Sequence, residues 1–308
     1  MRACVDIGGT KVAVSLSPDS TSPLVGRRSE PTAKTGNNDA VALQIIRLID
    51  EACAEQGVDP KSIDCVGVAT AGPFELRDGM VELATPNICG GIAGPARGLP
   101  NDWRTAIVEA PLKARFARVR VENDGVAALE AERRWGALQG LDHCAYVTWS
   151  TGVGVGLCVD GRILRGKNGN AGHAGHSFVV DDGSGALCGC GNVGDVEALI
   201  AGNSMARRFG QSPAELFAAA AKGEAHALQI TDAMCRVMGR MLYNLIATLD
   251  LQRISLGGSV FWHNRDFLLP KLQAQIDGQL PPLTRGVVLV AAGLGDRVGD
   301  YAALALLD

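Results

Sequence analysis

The sequence has no long uninterrupted hydrophobic run. Its most apolar stretch, CAYVTWSTGVGVGLCV at residues 144–159, is broken by glycines and hydroxyl side chains, so it predicts two strands and a turn rather than a membrane span. The N-terminal residues MRACVDIGGTK also lack the basic and apolar regions of a signal peptide. We therefore expect a cytoplasmic protein without a membrane segment.

Basic residues are not in excess either. The 29 lysines and arginines are balanced by 33 aspartates and glutamates, which gives a formal net charge of −4 and no broad basic surface of the kind that binds nucleic acid. Low-complexity segments and coiled-coil repeats are also missing. Nucleic acid is therefore not an expected partner.

Nine cysteines are present, although no export signal accompanies them. This combination is typical of a reducing cytoplasm, and thiols within apolar strand-like runs, such as Cys4, Cys65 and Cys144, are expected to be buried and free. Only Cys188 and Cys190 have the spacing of metal ligands.

The order of predicted elements is that of an α/β protein. A hairpin formed by RACVDIGG and KVAVSLS precedes a helix at residues 38–55 and a strand in SIDCVGVATAG. A strand in RVRVEND and a helix in GVAALEAERRWG follow. This alternation predicts helices packed on a sheet.

A second half repeats the order from Glu122 onward. Strands are predicted in CAYVTWS, TGVGVGLCVDGRIL, GHSFVV, RISLGGSV and VVLVAAG. Helices are predicted at about 196–208, 213–222 and 226–250, and in RVGDYAALALL. We expect two domains around a central cleft. They comprise residues 1–121, joined by the C-terminal helix at about 296–308, and residues 122–295.

Three glycine turns follow predicted strands. They are DIGGTK (6–11), STGVGVG (150–156) and LGGSV (256–260). Glycines let backbone N–H groups approach an anion, and the threonine and lysine of the first turn add a donor and a charge. Each turn alone is also explained as an ordinary hairpin, but the three together favour a nucleotide in the cleft. None has the Walker A spacing, which excludes a P-loop protein.

Asp124 follows the predicted strand RVRVEND, at the edge where α/β sheets present ligand residues. A carboxylate here can accept the proton of a substrate hydroxyl during phosphoryl transfer, and Asn123 can hold a neighbouring hydroxyl. The alternative is structural, with Asp124 as a helix N-cap and Asn123 as a turn residue.

Residues 170–197, NAGHAGHSFVVDDGSGALCGCGNVGDVE, combine two histidines three positions apart with a C-x-C pair. The stretch by itself is compatible with a metal site, a sugar site or both.

Six motifs occur along the chain in the order DIGGTK, ENDGVAALEAE, STGVGVGL, GNAGHAGH, CGCGNVGDVEA and LGGSV. Together they resemble the ROK family of repressors and kinases, and the resemblance covers nearly the whole chain. The resemblance implies a two-domain actin-like ATPase fold, also called ribonuclease-H-like, with ATP and a sugar in the central cleft. It also implies that the last helix packs on the N-terminal domain.

The resemblance further implies roles for individual residues. Asp124 would deprotonate the 6-hydroxyl of the sugar. The implied sugar ligands are Asn87, Asn123, Asp124, His173, His176 and Glu197. The implied ATP ligands are Gly8, Gly9, Thr10, Lys11, Thr151, Gly152, Gly154, Gly257 and Gly258. Mg²⁺ would bridge the β- and γ-phosphates with Asp6 nearby.

One departure from the family pattern concerns the sugar. His173 stands where most family kinases have glutamate, and an imidazole can donate or accept whereas a carboxylate only accepts. Recognition near the 2-substituent of the sugar should therefore differ. The same histidine occurs in bacterial N-acetylmannosamine kinases, and the alternative is that His173 does not touch the sugar.

A second departure concerns a metal. Asp195 stands in place of the third zinc-binding cysteine of the family, beside His176, Cys188 and Cys190. Aspartate oxygen is a legitimate ligand of tetrahedral zinc, so a structural Zn²⁺ is expected, with a metal-free loop as the alternative. His176 would then serve both the metal and the sugar.

The sequence therefore predicts an ATP-dependent kinase that phosphorylates the 6-hydroxyl of a hexose or N-acylhexosamine, of the glucose or N-acetylmannosamine type. ROK repressors carry a DNA-binding domain ahead of DIGGTK, and that motif starts here at residue 6, so a repressor is not expected. The remaining alternative is a non-catalytic sugar sensor. A homodimer is expected from the resemblance alone.

Overall fold

The chain forms two compact units. Its computed structural model describes residues 1–19, 23–93, 98–181 and 183–307. The first unit comprises Met1–Ala131, Arg165–Ala171 and Gly299–Asp308, and the second comprises Glu132–Leu164 and Gly172–Val298.

The strands of the first unit form a larger and a smaller sheet. They are β1 (Arg2–Ile7), β2 (Lys11–Ser17), β3 (Val25–Pro31), β4 (Cys65–Thr70), β5 (Phe74–Arg77), β6 (Met80–Leu83), β7 (Ala106–Ile107) and β8 (Arg118–Asn123). The larger sheet has the order β3-β2-β1-β4-β8 and the smaller β5-β6-β7. Because β1, β4 and β8 are parallel, their last residues, Ile7, Thr70 and Asn123, are in register at the C-terminal ends of these strands. The first glycine turn follows the end of β1, and Asp124 follows the end of β8.

The helices of the first half are α1 (Ala40–Gln56), α2 (Gly90–Ala93), α3 (Glu109–Arg115) and α4 (Asp124–Trp135). Helix α1 buries Val41, Ile45 and Ile49 in the core of the first unit, because these apolar side chains recur at helical spacing. It ends at Gly57, whose φ of 64° lies in the left-handed region that suits glycine.

The second unit has one sheet of order β11-β10-β9-β12-β13 among the residues described, covered by helices. The strands are β9 (Cys144–Trp149), β10 (Val153–Val159), β11 (Arg162–Ile163), β12 (Arg253–Gly257) and β13 (Val288–Ala291). Its helices are α5 (Val196–Ile200), α6 (Gly202–Phe209), α7 (Pro213–Ala221), α8 (Ala225–Leu249), α9 (Ser259–His263), α10 (Arg265–Asp277) and α11 (Pro281–Thr284). The last helix, α12 (Val298–Ala305), lies in the first unit from Gly299 onward. Strand β9 is antiparallel to β10 and parallel to β12.

Helix α12 returns the chain to the first unit, since the residues after Val298 belong to that unit. A Cβ atom on Gly67 of β4 would lie 2.1 Å from the carbonyl oxygen of Ala303. Glycine at position 67 therefore allows the backbone of α12 to lie directly on β4. No helix in the described parts of the chain combines the length and the apolar character needed to cross a membrane.

Two predicted elements differ from the structure. The strand expected in GHSFVV is wrong, because Ala174–His176 forms a 3-10 helix and Ser177–Val180 is irregular. The helix expected at 196–208 is two helices, since Ala201 adopts an extended conformation with ψ of 151°. Several elements have no counterpart among the sequence predictions, including edge strand β3, the smaller sheet β5-β6-β7 and helices α3 and α10.

The passage from the first to the second unit falls inside α4, after Ala131. The sequence suggested a boundary before Glu122. The segment Arg165–Ala171 also belongs to the first unit, although the chain on either side of it belongs to the second.

Candidate functional site

The first glycine turn joins β1 to β2 in the first unit. The Gly8 N–H donates to the carbonyl oxygen of Lys11 at 2.8 Å, and Thr10 and Lys11 are exposed. A Cβ atom on Gly9 would lie 2.5 Å from Cβ of Asn87, closer than real side chains approach. Glycine at position 9 therefore lets Asn87 lie directly against this turn.

Asp6 is a half-buried carboxylate near the end of β1. Burial raises the pKa of Asp6, while the charges of Lys11 and Arg27 lower it and that of Asp300 adds to the rise. The ionised form of Asp6 therefore depends on positive charge nearby.

Asn123 ends β8 and Asp124 begins α4. The amide oxygen of Asn123 accepts hydrogen bonds from the N–H groups of Gly125 (2.9 Å) and Val126 (3.4 Å), so Asn123 caps the helix. The structural alternative gave the cap to Asp124, whereas the structure places Asp124 in the first turn, half-buried, with Oδ1 2.8 Å from the Gly125 nitrogen.

Two buried carboxylates lie on either side of this pair in sequence. Arg165 donates from Nε to Glu122 at 2.5 Å and from Nη2 to Glu130 at 2.8 Å, and Arg120 binds the same Glu130. Sequence reasoning missed this network, because Arg165 is 43 residues from Glu122 and no local motif marks the pair.

The second glycine turn joins β9 to β10 in the second unit. The Ser150 N–H donates to the Gly152 carbonyl at 2.9 Å, and the Val153 N–H donates to Oε2 of Glu197, also at 2.9 Å. A Cβ atom on Gly152 would lie 2.6 Å from the same Oε2. Glu197, a predicted sugar ligand, is therefore held against the second turn by a backbone hydrogen bond.

The third glycine turn follows β12. A Cβ atom on Gly257 would lie 2.3 Å from the Tyr146 hydroxyl, and Gly258 has a φ of 86°, so both positions require glycine. The Ser150 and Ser259 hydroxyl oxygens are 3.0 Å apart. The second and third turns therefore lie side by side.

The predicted metal ligands converge in the second unit. One ligand atom from each of His176, Cys188, Cys190 and Asp195 lies within 4.8 Å of the others. Nδ1 of His176 is 3.1 Å from Oδ2 of Asp195 and 3.6 Å from Sγ of Cys188, and Sγ of Cys190 is 3.5 Å from the same Oδ2. Tetrahedral zinc with bonds of about 2.0–2.3 Å separates its ligands by about 3.3–3.8 Å, so the cluster has the size of a zinc site.

Hydrogen bonds and burial shift the pKa values of three residues in this cluster. The hydrogen bond to Asp195 raises the pKa of His176 above its ordinary value. Burial alone would raise the pKa of Asp195, but hydrogen bonds from His176 and from the Ala198 N–H hold it below its usual range. Burial also raises the pKa of the Cys188 thiol.

His173 lies next to the metal cluster. Its ring stacks on that of His176, with centroids 6.1 Å apart and an interplanar angle of 22°. His176 points Nδ1 toward the cluster, so a sugar contact by this residue would use Nε2.

The predicted site residues form one group in each unit. The first unit contains Asp6, Gly8, Gly9, Thr10, Lys11, Asn87, Asn123 and Asp124. The second unit contains Thr151, Gly152, Gly154, His173, His176, Cys188, Cys190, Asp195, Glu197, Gly257 and Gly258.

Comparison with known proteins gives a match to the model of the ROK family over residues 2–308. The chain is 31% identical to a glucokinase of Aeropyrum pernix, over 98% of this chain and 95% of that protein. It is 32% identical to an N-acetylmannosamine kinase of Salmonella typhimurium, over 83% of this chain and 82% of that protein.

Solved structures show the same architecture. A ROK hexokinase from Thermus thermophilus superposes with a TM-score of 0.75 at 30% identity, covering 99% of this chain and 97% of its own. A ROK glucokinase from Streptomyces griseus, in complex with glucose and AMPPNP, gives a TM-score of 0.72 at 26% identity, with coverage of 99% and 98%. These neighbours confirm the predicted actin-like ATPase fold class.

Proposed function

The chain belongs to the ROK family, and from this membership we propose that it transfers the γ-phosphate of ATP to the 6-hydroxyl of a hexose or N-acylhexosamine. The prediction of a phosphotransferase with an alcohol acceptor is confirmed by the relatives named glucokinase and N-acetylmannosamine kinase. The acceptor position and the physiological sugar are part of the proposal.

The observation that carries the proposal is the placement of Asp124. It is a half-buried carboxylate in the first turn of α4, and Asn123 rather than Asp124 supplies the capping oxygen of that helix. A carboxylate in this position can take the proton of a sugar hydroxyl while the hydroxyl oxygen attacks the γ-phosphorus. The bond from the γ-phosphorus to the bridging oxygen breaks, and ADP leaves.

The nucleotide is assigned to the glycine turns. In the first turn, Gly8 and Gly9 bring backbone close to an anion, and the exposed Thr10 and Lys11 add a hydroxyl donor and a positive charge. In the second unit, the adjacent turns offer Thr151, Gly152 and Gly154 for phosphates and Gly257 and Gly258 for the nucleoside. The support is steric, because neighbouring atoms exclude a side chain at positions 9, 152, 257 and 258.

Mg²⁺ fits the chemistry of Asp6. This carboxylate lies close enough to Lys11 and Arg27 for their charges to lower its pKa against the effect of burial, and a cation nearby would act in the same direction. When bound to ATP, Mg²⁺ neutralises charge on the β- and γ-phosphates.

Zinc is proposed for the cluster of His176, Cys188, Cys190 and Asp195, whose separations fit tetrahedral coordination. Its role would be structural, since it would fix the ring of His176 and the loop that leads to Glu197. His176 would then face the sugar with its second nitrogen.

Sugar recognition is assigned to Asn87, Asn123, His173, His176 and Glu197. Among them, His173 bears most directly on the substrate, because an imidazole offers a donor that a carboxylate lacks. An N-acyl group at carbon 2 presents a carbonyl acceptor for such a donor. This favours an N-acetylmannosamine-type sugar, with glucose as the other candidate.

The experiment that tests this function is a coupled assay of ADP production with ATP and a panel of sugars: glucose, mannose, fructose, glucosamine, N-acetylglucosamine and N-acetylmannosamine. Turnover on a hexose or N-acylhexosamine is expected, with the phosphate on oxygen 6 by NMR of the product. Sugar binding without turnover on any of them would contradict a kinase and support the sensor.

The proposal also includes the location, the oligomeric state and the partners of the enzyme. We place it in the cytoplasm, where ATP is available, as a homodimer that binds no nucleic acid. Size-exclusion chromatography with light scattering measures the dimer directly, and a monomer at micromolar concentration would contradict it.

A further inference from the structure

Glu132, near the C-terminal end of α4, is completely buried, with a relative exposure of 0%. Its carboxylate accepts hydrogen bonds from the N–H groups of Ala137, Gly293 and Leu294, each at 2.9 Å, and from the Ser255 hydroxyl at 3.0 Å. All of these donors lie in the second unit. A buried carboxylate with so many donors is a strong and rigid anchor.

Three of the four donors come from two neighbouring parallel strands, β12 and β13, or from the loop after β13. Ser255 is in β12, directly before the third glycine turn, and Gly293 and Leu294 are in the loop after β13. The end of β12 and the start of the loop after β13 are also joined by the Ala292 N–H, which donates to the Leu256 carbonyl at 2.8 Å. Glu132 therefore fixes the strand ends from which the third glycine turn begins.

Contacts with α9 extend this arrangement. A Cβ atom on Gly295 would lie 2.9 Å from the ring of Trp262, so the loop after β13 lies against α9. Helix α9 begins directly after Gly258. The third turn thus leads into a helix that contacts the loop whose backbone N–H groups are held by Glu132.

We propose that Glu132 is a positioning residue for the nucleotide: its carboxylate holds the loop after β13 and the end of β12 in the arrangement that binds the nucleoside of the phosphoryl donor. This inference rests on the proposed function, because the third turn is assigned to ATP there. Glu132 itself does not touch the nucleotide.

Glutamine is the discriminating substitution, since it has the shape of glutamate. In Glu132→Gln, one acceptor oxygen becomes an NH₂ group that faces backbone N–H donors, which leaves buried donors without an acceptor. The loop after β13 should loosen, while the sugar ligands of the second unit keep their own contacts.

Two measurements test the proposal. Isothermal titration calorimetry with AMPPNP should show a Kd raised by about tenfold or more in Glu132→Gln, with the Kd of the sugar unchanged within about twofold. Hydrogen exchange should be faster at residues 291–296 than in the wild type. Glu109→Gln is the matched control, because Glu109 is also buried and accepts a backbone hydrogen bond, from Val81, at 2.6 Å.

Ser255→Ala provides a milder variant in case Glu132→Gln does not fold. It removes one donor and keeps the carboxylate, so it should raise the Kd of AMPPNP by a few-fold. Unchanged AMPPNP affinity in both folded variants, or an equal loss of sugar and nucleotide binding, would overturn the positioning role. A wild-type protein that binds no AMPPNP would instead refute the proposed function, and this inference with it.

Discussion

The side-chain amide of Asn123 has one atom that caps a helix and another that is available for the sugar. Its amide oxygen caps α4, which leaves Nδ2 as the group that would donate to a sugar hydroxyl. Asn123 can therefore cap the helix and bind the sugar at the same time. A substitution that keeps the capping oxygen and removes the amide nitrogen tests the sugar contact separately from the cap.

Serine is such a substitution, because it caps helices about as well as asparagine but is too short to reach past the cap. We predict that Asn123→Ser unfolds in urea with nearly wild-type stability and has a KM for the sugar raised about tenfold. Asn123→Ala should lose about 1 kcal/mol of stability as well. An unchanged KM in Asn123→Ser would exclude a sugar contact by this side chain.

Buried thiols give a second prediction at the residue scale. Burial raises the pKa of Cys89 to about 11 and of Cys144 and Cys235 to about 12. Because a raised pKa keeps a thiol protonated, roughly one in 10³ or fewer of these groups is a thiolate at pH 8.

The folded protein, freed of metal with a chelator, should therefore react with iodoacetamide first at Cys190, which is exposed, and not at these buried cysteines. Mass spectrometry of tryptic peptides after a short reaction measures this. Labelling should spread to the other cysteines only in denaturant. Early labelling of Cys144 or Cys235 in the folded protein would contradict the burial described.

At the scale of elements, Asp195 connects a helix to the metal cluster. Its Oδ1 accepts a hydrogen bond from the Ala198 N–H at 2.7 Å and caps α5, while Oδ2 faces His176 and Cys190. Cysteine at this position would add a thiolate but remove the cap. The residue that departs from the family pattern thus has a structural task of its own.

Two substitutions of Asp195 distinguish its contribution as a helix cap from its contribution as a metal ligand. Asp195→Cys should bind zinc more tightly in competition with a chelator, but lose about 1 kcal/mol of stability without metal. Asp195→Asn should keep the metal-free stability, because asparagine caps well, and bind zinc more weakly. Equal zinc affinity in the three proteins would show that Asp195 is not a ligand.

Local patterns predicted the elements that depend on local signals. The hairpin of β1 and β2, helix α1 and strand β12 have short apolar runs or helical apolar spacing, with glycine at their ends. The segment after His176 has apolar residues typical of a strand, but among the residues described it pairs with no strand, and the Ser177 carbonyl accepts a hydrogen bond from the Val196 N–H at the start of α5. The break at Ala201 follows from the α6 N-terminus packing on the second turn, where Gly202 donates to Ser150.

At the scale of the whole molecule, the family motifs located the glycine turns, the metal cluster and Asp124. They did not locate the residues that hold them. Glu132 is 161 residues from Gly293, and Arg120 is 186 residues from Leu306, whose carbonyl it binds. Such contacts depend on how the strands are ordered in the sheets, and no single segment of sequence contains that information.

The central claim is that Asp124 is the base of a sugar kinase, and Asp124→Asn tests it most directly. Sugar-dependent ADP production is measured for this variant beside Asp266→Asn, a matched change at a side chain that is 96% exposed. We predict that kcat falls by about 10²-fold or more in Asp124→Asn, with sugar binding retained, while Asp266→Asn keeps wild-type activity. Near-normal turnover in Asp124→Asn would contradict the assignment.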